Sequence, residues 1–197
     1  MFKVILASGS PRRDRILRML KLQYSVIRPA GVEEKIFKDP YGTVLYNSGA
    51  KAQYVYNHVI ISNLNCENTI VAGFDTIVYF KRKHIGKPDD LEDAREFLKC
   101  LAGKVHKVIT GVYLIDCRSG RKLSGTETTE VKFKELSGSE IDNYLSAEYV
   151  NDKAGAYDIS GYGSVLVEKI KGCYYNVAGF PVYRFLQLLS GFEYRII

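Results

Sequence analysis

The chain has 197 residues, 46% of them hydrophobic and 25% charged, an ordinary globular composition that argues against disorder. Its 28 lysines and arginines against 22 acidic residues leave a formal charge of +6, compatible with phosphate-bearing ligands but equally with scattered surface lysines. At this length roughly 70% of the unfolded surface can be buried, so a single domain over residues 1–197 is expected to hold without disulfides. Cys66, Cys100, Cys117 and Cys173 lie far apart with no C-x-x-C pair; the spacing argues against structural zinc and reads as reduced thiols of a cytoplasmic chain. The apolar start Val4-Ile5-Leu6-Ala7 is broken by Ser8-Gly9-Ser10, too soon for a secretory segment or a membrane span.

Phe2 to Ala7 reads as a buried strand, and the next segment has helical period, with Ile16, Leu17 and Leu20 on one face. Tyr24 to Arg28 is expected as a strand, a polar loop follows from Gly31 to Pro40, and a helix from about Thr43 to Ile60. Thr69 to Phe80 is β-rich and interrupted by one carboxylate, Asp75. Asp89 or Asp90 can cap a helix whose apolar face is Leu91, Ala94, Leu98 and Leu101, with Gly103 as its stop. Lys107 to Asp116 and Arg121 to Lys134 read as two strands joined by a turn at Arg118 to Gly120. Ser137 and Glu140 make a capping box for a helix through Leu145. Gly163 to Ile170 and Cys173 to Val177 suggest another strand pair. Pro181, at a first helical position, opens a last helix that Gly191 closes. Hairpins alternate with strand-helix units, so the expected fold is α/β: a mixed, twisted sheet flanked by helices.

Two constellations carry chemistry. Ser8-Gly9-Ser10-Pro11-Arg12-Arg13 lies between a strand and a helix, with Ser10 as N-cap and Pro11 in the first turn. Free backbone N–H groups and two guanidinium groups there suit phosphate oxygens; the plain alternative is a capped helix start with solvated arginines. The second is Asp75, a carboxylate inside Ile70 to Val78. An unpaired buried charge costs several kcal/mol, so Asp75 is expected to hold a metal ion, a cation or a reacting water, or else to emerge at a strand end. Glu33, Glu34, Lys51 and Lys87 are each ordinary as single surface residues. Together these groups form the inventory of a metal-assisted polyphosphate site. His58, His84 and His106 are too scattered for a triad, and no G-x-S-x-G elbow supplies a serine nucleophile.

The motifs in this order resemble the Maf family of nucleoside triphosphate pyrophosphatases from Leu6 to about Leu189. They are Leu6-Ala7-Ser8-Gly9-Ser10-Pro11-Arg12-Arg13, Val32-Glu33-Glu34, Lys51-Ala52, Phe74-Asp75-Thr76-Ile77-Val78 and Gly86-Lys87-Pro88. Further along come His106 to Val112, Asp152-Lys153-Ala154-Gly155-Ala156-Tyr157 and Asn176-Val177-Ala178-Gly179-Phe180-Pro181. The resemblance implies two lobes around a cleft, in a fold similar to that of the inosine triphosphate pyrophosphatases, and hydrolysis between the α and β phosphates. It makes Asp75 the proton acceptor for water, with Asp75 and Glu34 on a divalent cation (Mg²⁺ or Mn²⁺). Lys51 and Lys87 join Ser8, Ser10, Arg12 and Arg13 on the triphosphate.

The opening motif is similar to that of the branch acting on dTTP and UTP, whose preference maps to Arg12, Thr76 and Tyr157 to Gly161. That branch usually has glycine and glutamine where this chain has Asp158 and Ser160, and serine cannot offer the paired amide contacts that read a pyrimidine edge. The expectation is a cytoplasmic house-cleaning enzyme, a homodimer, with no nucleic-acid partner. The alternatives are the branch acting on 7-methyl-GTP, against which Arg12-Arg13 argues, and a non-catalytic nucleotide- or nucleic-acid-binding regulator of cell division.

Overall fold

The computed structural model describes residues 2–62 and 66–195. Its elements are β1 (Lys3–Ala7), α1 (Pro11–Met19), β2 (Tyr24–Ile27), α2 (Pro40–Ile61), β3 (Thr69–Phe80), β4 (Lys83–Ile85) and α3 (Leu91–Leu101). They continue with β5 (Val105–Asp116), β6 (Lys122–Phe133), α4 (Gly138–Ala147), β7 (Val167–Lys171), α5 (Tyr174–Val177) and α6 (Val182–Ser190), with 3-10 turns at Ala154–Ala156 and Tyr162–Leu166. The strands form one seven-stranded sheet in the order β2-β1-β3-β5-β6-β7, with β4 paired to β3. β1 runs parallel to β2 and to β3, whereas β4 on β3 and β7 on β6 are antiparallel, so the sheet is mixed. Among the described residues no helix is long and apolar enough to cross a membrane, and none of the four cysteines is joined in a disulfide.

The chain divides into two compact units, the first of residues 1–75, 110–127 and 179–197, the second of 76–109 and 128–178. In the first unit, β1 is buried on both faces, as a strand between two parallel neighbours must be. One face packs Ile5, Ala7, Val71 and Ile115 against Ala52, Val55 and Val59 of α2. On the alternate positions Phe74 stacks on Phe180, ring centroids 4.4 Å apart, and Phe185 completes the trio. Helix α2 lies unusually close to the sheet. A Cβ on Gly73 would overlap the Ser48 carbonyl oxygen and stand 2.9 Å from the Ala52 nitrogen, and one on Gly111 would overlap the Val44 carbonyl. In the second unit the core gathers Leu98 and Leu101 of α3, Tyr144 of α4, and the edge-to-face rings of His106, Phe133 and Tyr157.

Several local expectations are revised. Helix α2 begins three residues early because Asp39 caps it, accepting from the Tyr41 and Gly42 amides, and Pro40 suits the first turn. Leu91 begins α3 but is exposed, while Ala94, Leu98 and Leu101 are buried. The run from Gly163 divides into a 3-10 turn and β7, and Cys173 to Val177 is not a strand but caps and forms α5. Tertiary bonds override β propensity there: buried Asn176 Nδ2 donates to the Val108 carbonyl and to Thr129 Oγ1, both at 3.0 Å. Pro181 sits at the N-cap of α6, one place before the first turn. Strand β4 has no counterpart in the sequence pattern, because its turn uses Lys81 and Arg82 at φ 46° and 65° where glycine or asparagine would be the signal.

Candidate functional site

Asp75 lies in the middle of β3 and is 5% exposed, so the strand-end alternative is excluded and the cost of burying its charge must be met locally. Helix α2 meets it. Lys51 Nζ stands 2.6 Å from Asp75 Oδ1, and Asn47 Nδ2 donates to Oδ2 at 3.2 Å. The same ammonium reaches Glu34 Oε1 at 2.7 Å, so one cation binds two carboxylates from different parts of the chain. Glu34 is half exposed at 53%, whereas the Lys51 side chain retains only 13%.

The loop carrying Glu34 is moored to the same face of α2. Thr43 Oγ1 accepts the Phe37 amide at 2.9 Å; Asn47 Oδ1 accepts the Lys35 amide at 2.8 Å, and Asn47 Nδ2 donates to the Lys35 carbonyl at 3.1 Å. Thr43, Asn47 and Lys51 recur every four residues, which places them in one polar stripe along an otherwise buried helix face. Asn47, bonded both to Asp75 and to the Glu34 loop, is a residue of this cluster that the sequence reading did not single out; its four-residue spacing from Lys51 was the available signal.

The β1–α1 connection supplies the cationic side. Ser10 is the N-cap of α1 by backbone position, but its side chain makes no cap bond; its amide instead donates to Ser8 Oγ at 3.1 Å. Buried Ser8 also accepts from Arg13 Nη1 at 3.1 Å, and Arg13 Nε donates to the Gly179 carbonyl at 2.9 Å. The Arg13 guanidinium lies 5.7 Å over the Phe74 ring, a cation–π placement. Desolvation pulls Arg13 down to about 10, opposed by the charge of Asp75 and reinforced by that of Arg12, so it remains a cation at neutral pH. Arg12 is half-buried. The solvated-arginine reading therefore fails for Arg13, which is fixed by two hydrogen bonds and a ring.

Thr76, Lys87 and Ser160 belong to the second unit. Thr76 is the half-buried residue after Asp75 on β3, and Lys87 is exposed between β4 and α3. Ser160 donates through its amide and its hydroxyl to Asp158 Oδ1 at 2.9 and 2.6 Å, so its side chain is engaged in a local Asx turn.

Among the described residues no three His, Cys, Asp or Glu side chains cluster as a ready metal cage. Asp75 and Glu34 nevertheless fit a hard divalent cation, which binds through one or two carboxylates and completes its shell with water and phosphate. Both are oxygen donors, and both already converge on a single positive charge, that of Lys51.

A doubly paired buried carboxylate, a second acid on a moored loop and a fixed arginine at a helix start define an α/β protein equipped to handle a polyanion with its counterion. The chain belongs to the Maf-like protein family, whose model matches residues 3–192. It is 44% identical over 194 residues to a dTTP/UTP pyrophosphatase of Pyrococcus furiosus, covering 96% of this chain and 95% of that protein. It is 45% identical over 181 residues to the dTTP/UTP pyrophosphatase of Pyrococcus horikoshii, 91% of each, and 38% identical over 199 residues to that of Acetivibrio thermocellus, 100% of this chain and 98% of that protein. Among solved structures, a HAM1 protein from Coxiella burnetii aligns over 98% of both chains with a TM-score of 0.48 and 13% identity.

Proposed function

We propose that this chain is a nucleoside triphosphate pyrophosphatase that hydrolyses dTTP and UTP to the monophosphate and pyrophosphate. The observation that carries the reading is the Lys51 ammonium held between Asp75 and Glu34 at 2.6 and 2.7 Å; the relatives at 38–45% identity named dTTP/UTP pyrophosphatases support it. A protein that merely bound nucleotide would gain nothing from two carboxylates turned toward phosphates.

In this reading Asp75, held by Lys51 and Asn47, takes the proton from the attacking water. Glu34 orients that water and, with Asp75, would hold Mg²⁺ or Mn²⁺. When bound, the cation offsets phosphate charge and polarises the phosphoryl oxygen. Ser8, Ser10, Arg12 and Arg13 grip phosphate oxygens at the start of α1, where backbone N–H groups and guanidinium forks favour them. Lys51 and Lys87 offset the charge that develops on the α phosphate. Thr76 and Ser160 contact the nucleoside. The enzyme on this reading is one Maf-like domain, a cytoplasmic homodimer that takes free nucleotides rather than nucleic acid or membrane.

The test is pyrophosphate release over canonical, methylated and hydroxymethylated triphosphates, including 7-methyl-GTP, with Mg²⁺, Mn²⁺ or EDTA. Turnover is expected to be strongest with pyrimidine triphosphates, to vanish in EDTA and to fall at least 1,000-fold (on the order of 4 kcal/mol) in Asp75→Asn. Full activity in that variant removes Asp75 from the chemistry, and orthophosphate as first product would mean a different bond is cut.

A further inference from the structure

We propose that Asn47 is a positioning residue for this hydrolysis: its carboxamide couples Asp75 to the loop that carries Glu34, so that the two carboxylates are set as a pair. The inference rests on the functional reading above and adds a residue to it.

Asn47 is 3% exposed on the inner face of α2, and a buried side-chain amide is retained only where its hydrogen bonds are made. Here the bonds run to two different segments. Oδ1 accepts the Lys35 amide at 2.8 Å, while Nδ2 has two hydrogens and spends one on the Lys35 carbonyl at 3.1 Å and the other on Asp75 Oδ2 at 3.2 Å. The paired bonds to Lys35 are the kind one strand makes to another, supplied by a side chain. They fix the backbone next to Glu34, whose carboxylate then meets Lys51 at 2.7 Å. Neither partner of Asn47 is a phosphate-gripping residue. Its removal should therefore loosen the relation between the two acids and leave the hold on the triphosphate intact.

Leucine at this position fills similar volume without any of the three bonds. Asn47→Leu is expected to lower kcat by about 10- to 100-fold, the order of effect of a 1 Å misplacement, with KM for dTTP or UTP changed less than threefold. In a double-mutant cycle with Glu34→Gln, the same substitution should cost clearly less than it does alone, because one of the two acids it sets is already disabled and only the bond to Asp75 is left to lose. An effect that multiplies fully with that of Glu34→Gln, a loss confined to KM, or wild-type kcat would each overturn the proposal.

A readout free of activity keeps the two inferences apart. Hydrogen exchange at the Lys35 amide should be protected in the wild type and lose that protection in Asn47→Leu and in Asn47→Ala, at temperatures where both variants are folded. Protection that persists in the variants refutes the coupling even if the enzyme is active. A wild type that releases no pyrophosphate refutes the function, and the exchange result still decides what Asn47 holds.

Discussion

Gly73→Ala tests the argument at the point where packing and chemistry meet. Gly73 is two residues before Asp75 on β3, hence on the same face, and a Cβ there overlaps the Ser48 carbonyl and crowds the Ala52 amide of α2. Those are main-chain atoms that cannot rotate away, so the helix must retreat by about 1 Å. The turn it pushes carries Asn47 and Lys51, whose bonds to Asp75 are 3.2 and 2.6 Å long; the added distance breaks the first and stretches the second beyond hydrogen-bonding range. Overpacking of this kind costs about 1–3 kcal/mol, a Tm drop of roughly 2–12 °C in a chain of this size, and the displaced groups should lower kcat about 100-fold. The assay is steady-state pyrophosphate release beside a thermal melt, with Gly138→Ala, whose Cβ meets nothing within 4 Å, as control. Wild-type kcat in a folded Gly73→Ala protein would refute the claim that α2 holds the carboxylate through close approach.

Phe74→Ala should destabilise by about 3–5 kcal/mol, because the ring is fully buried against Phe180 and Phe185; Phe74→Leu, which retains bulk but removes the π face under Arg13, should raise KM two- to fivefold with kcat unchanged. Thermal melts of the first and kinetics of the second check both, and an unaltered KM would show that the ring only fills space. His106 is buried with its Nε2 2.9 Å from the Tyr157 hydroxyl, and desolvation lowers it to about 4. Unfolded histidine takes up its proton near 6.5, so between those pH values the unfolded state binds more protons and stability falls as pH falls. The loss begins near pH 6.5 and reaches about 3 kcal/mol below pH 4; His106→Gln should flatten this slope in melts taken from pH 7 to 4, and parallel curves would contradict it.

Asp75 was legible in the sequence because a carboxylate inside Ile70 to Val78 violates the pattern of its own strand, and such a violation needs a cause. Arg13 was legible as a cation but not as a fixed one, since Gly179 and Phe74 reach it from distant stretches of chain. Lys51 looked like any helical lysine until β3 was placed beside it. Asn47 escaped for the same reason: its four-residue spacing from Lys51 marks a shared helix face but not what that face meets. Cys173 to Val177 misled because tyrosine and valine favour strands, while the bonds that fold the segment into a turn come from Val108 and Thr129. The turn before β4 escaped because lysine and arginine occupy its positive-φ positions.

One rigid helix takes hold of both oxygens of Asp75, and this limits more than its distance from a ligand. A carboxylate held by one oxygen can swivel about its Cβ–Cγ bond; held by two, it cannot. The remaining lone pairs therefore keep one bearing, and the entropy of aiming the carboxylate is lost once, when α2 settles on the sheet, rather than each time a ligand arrives.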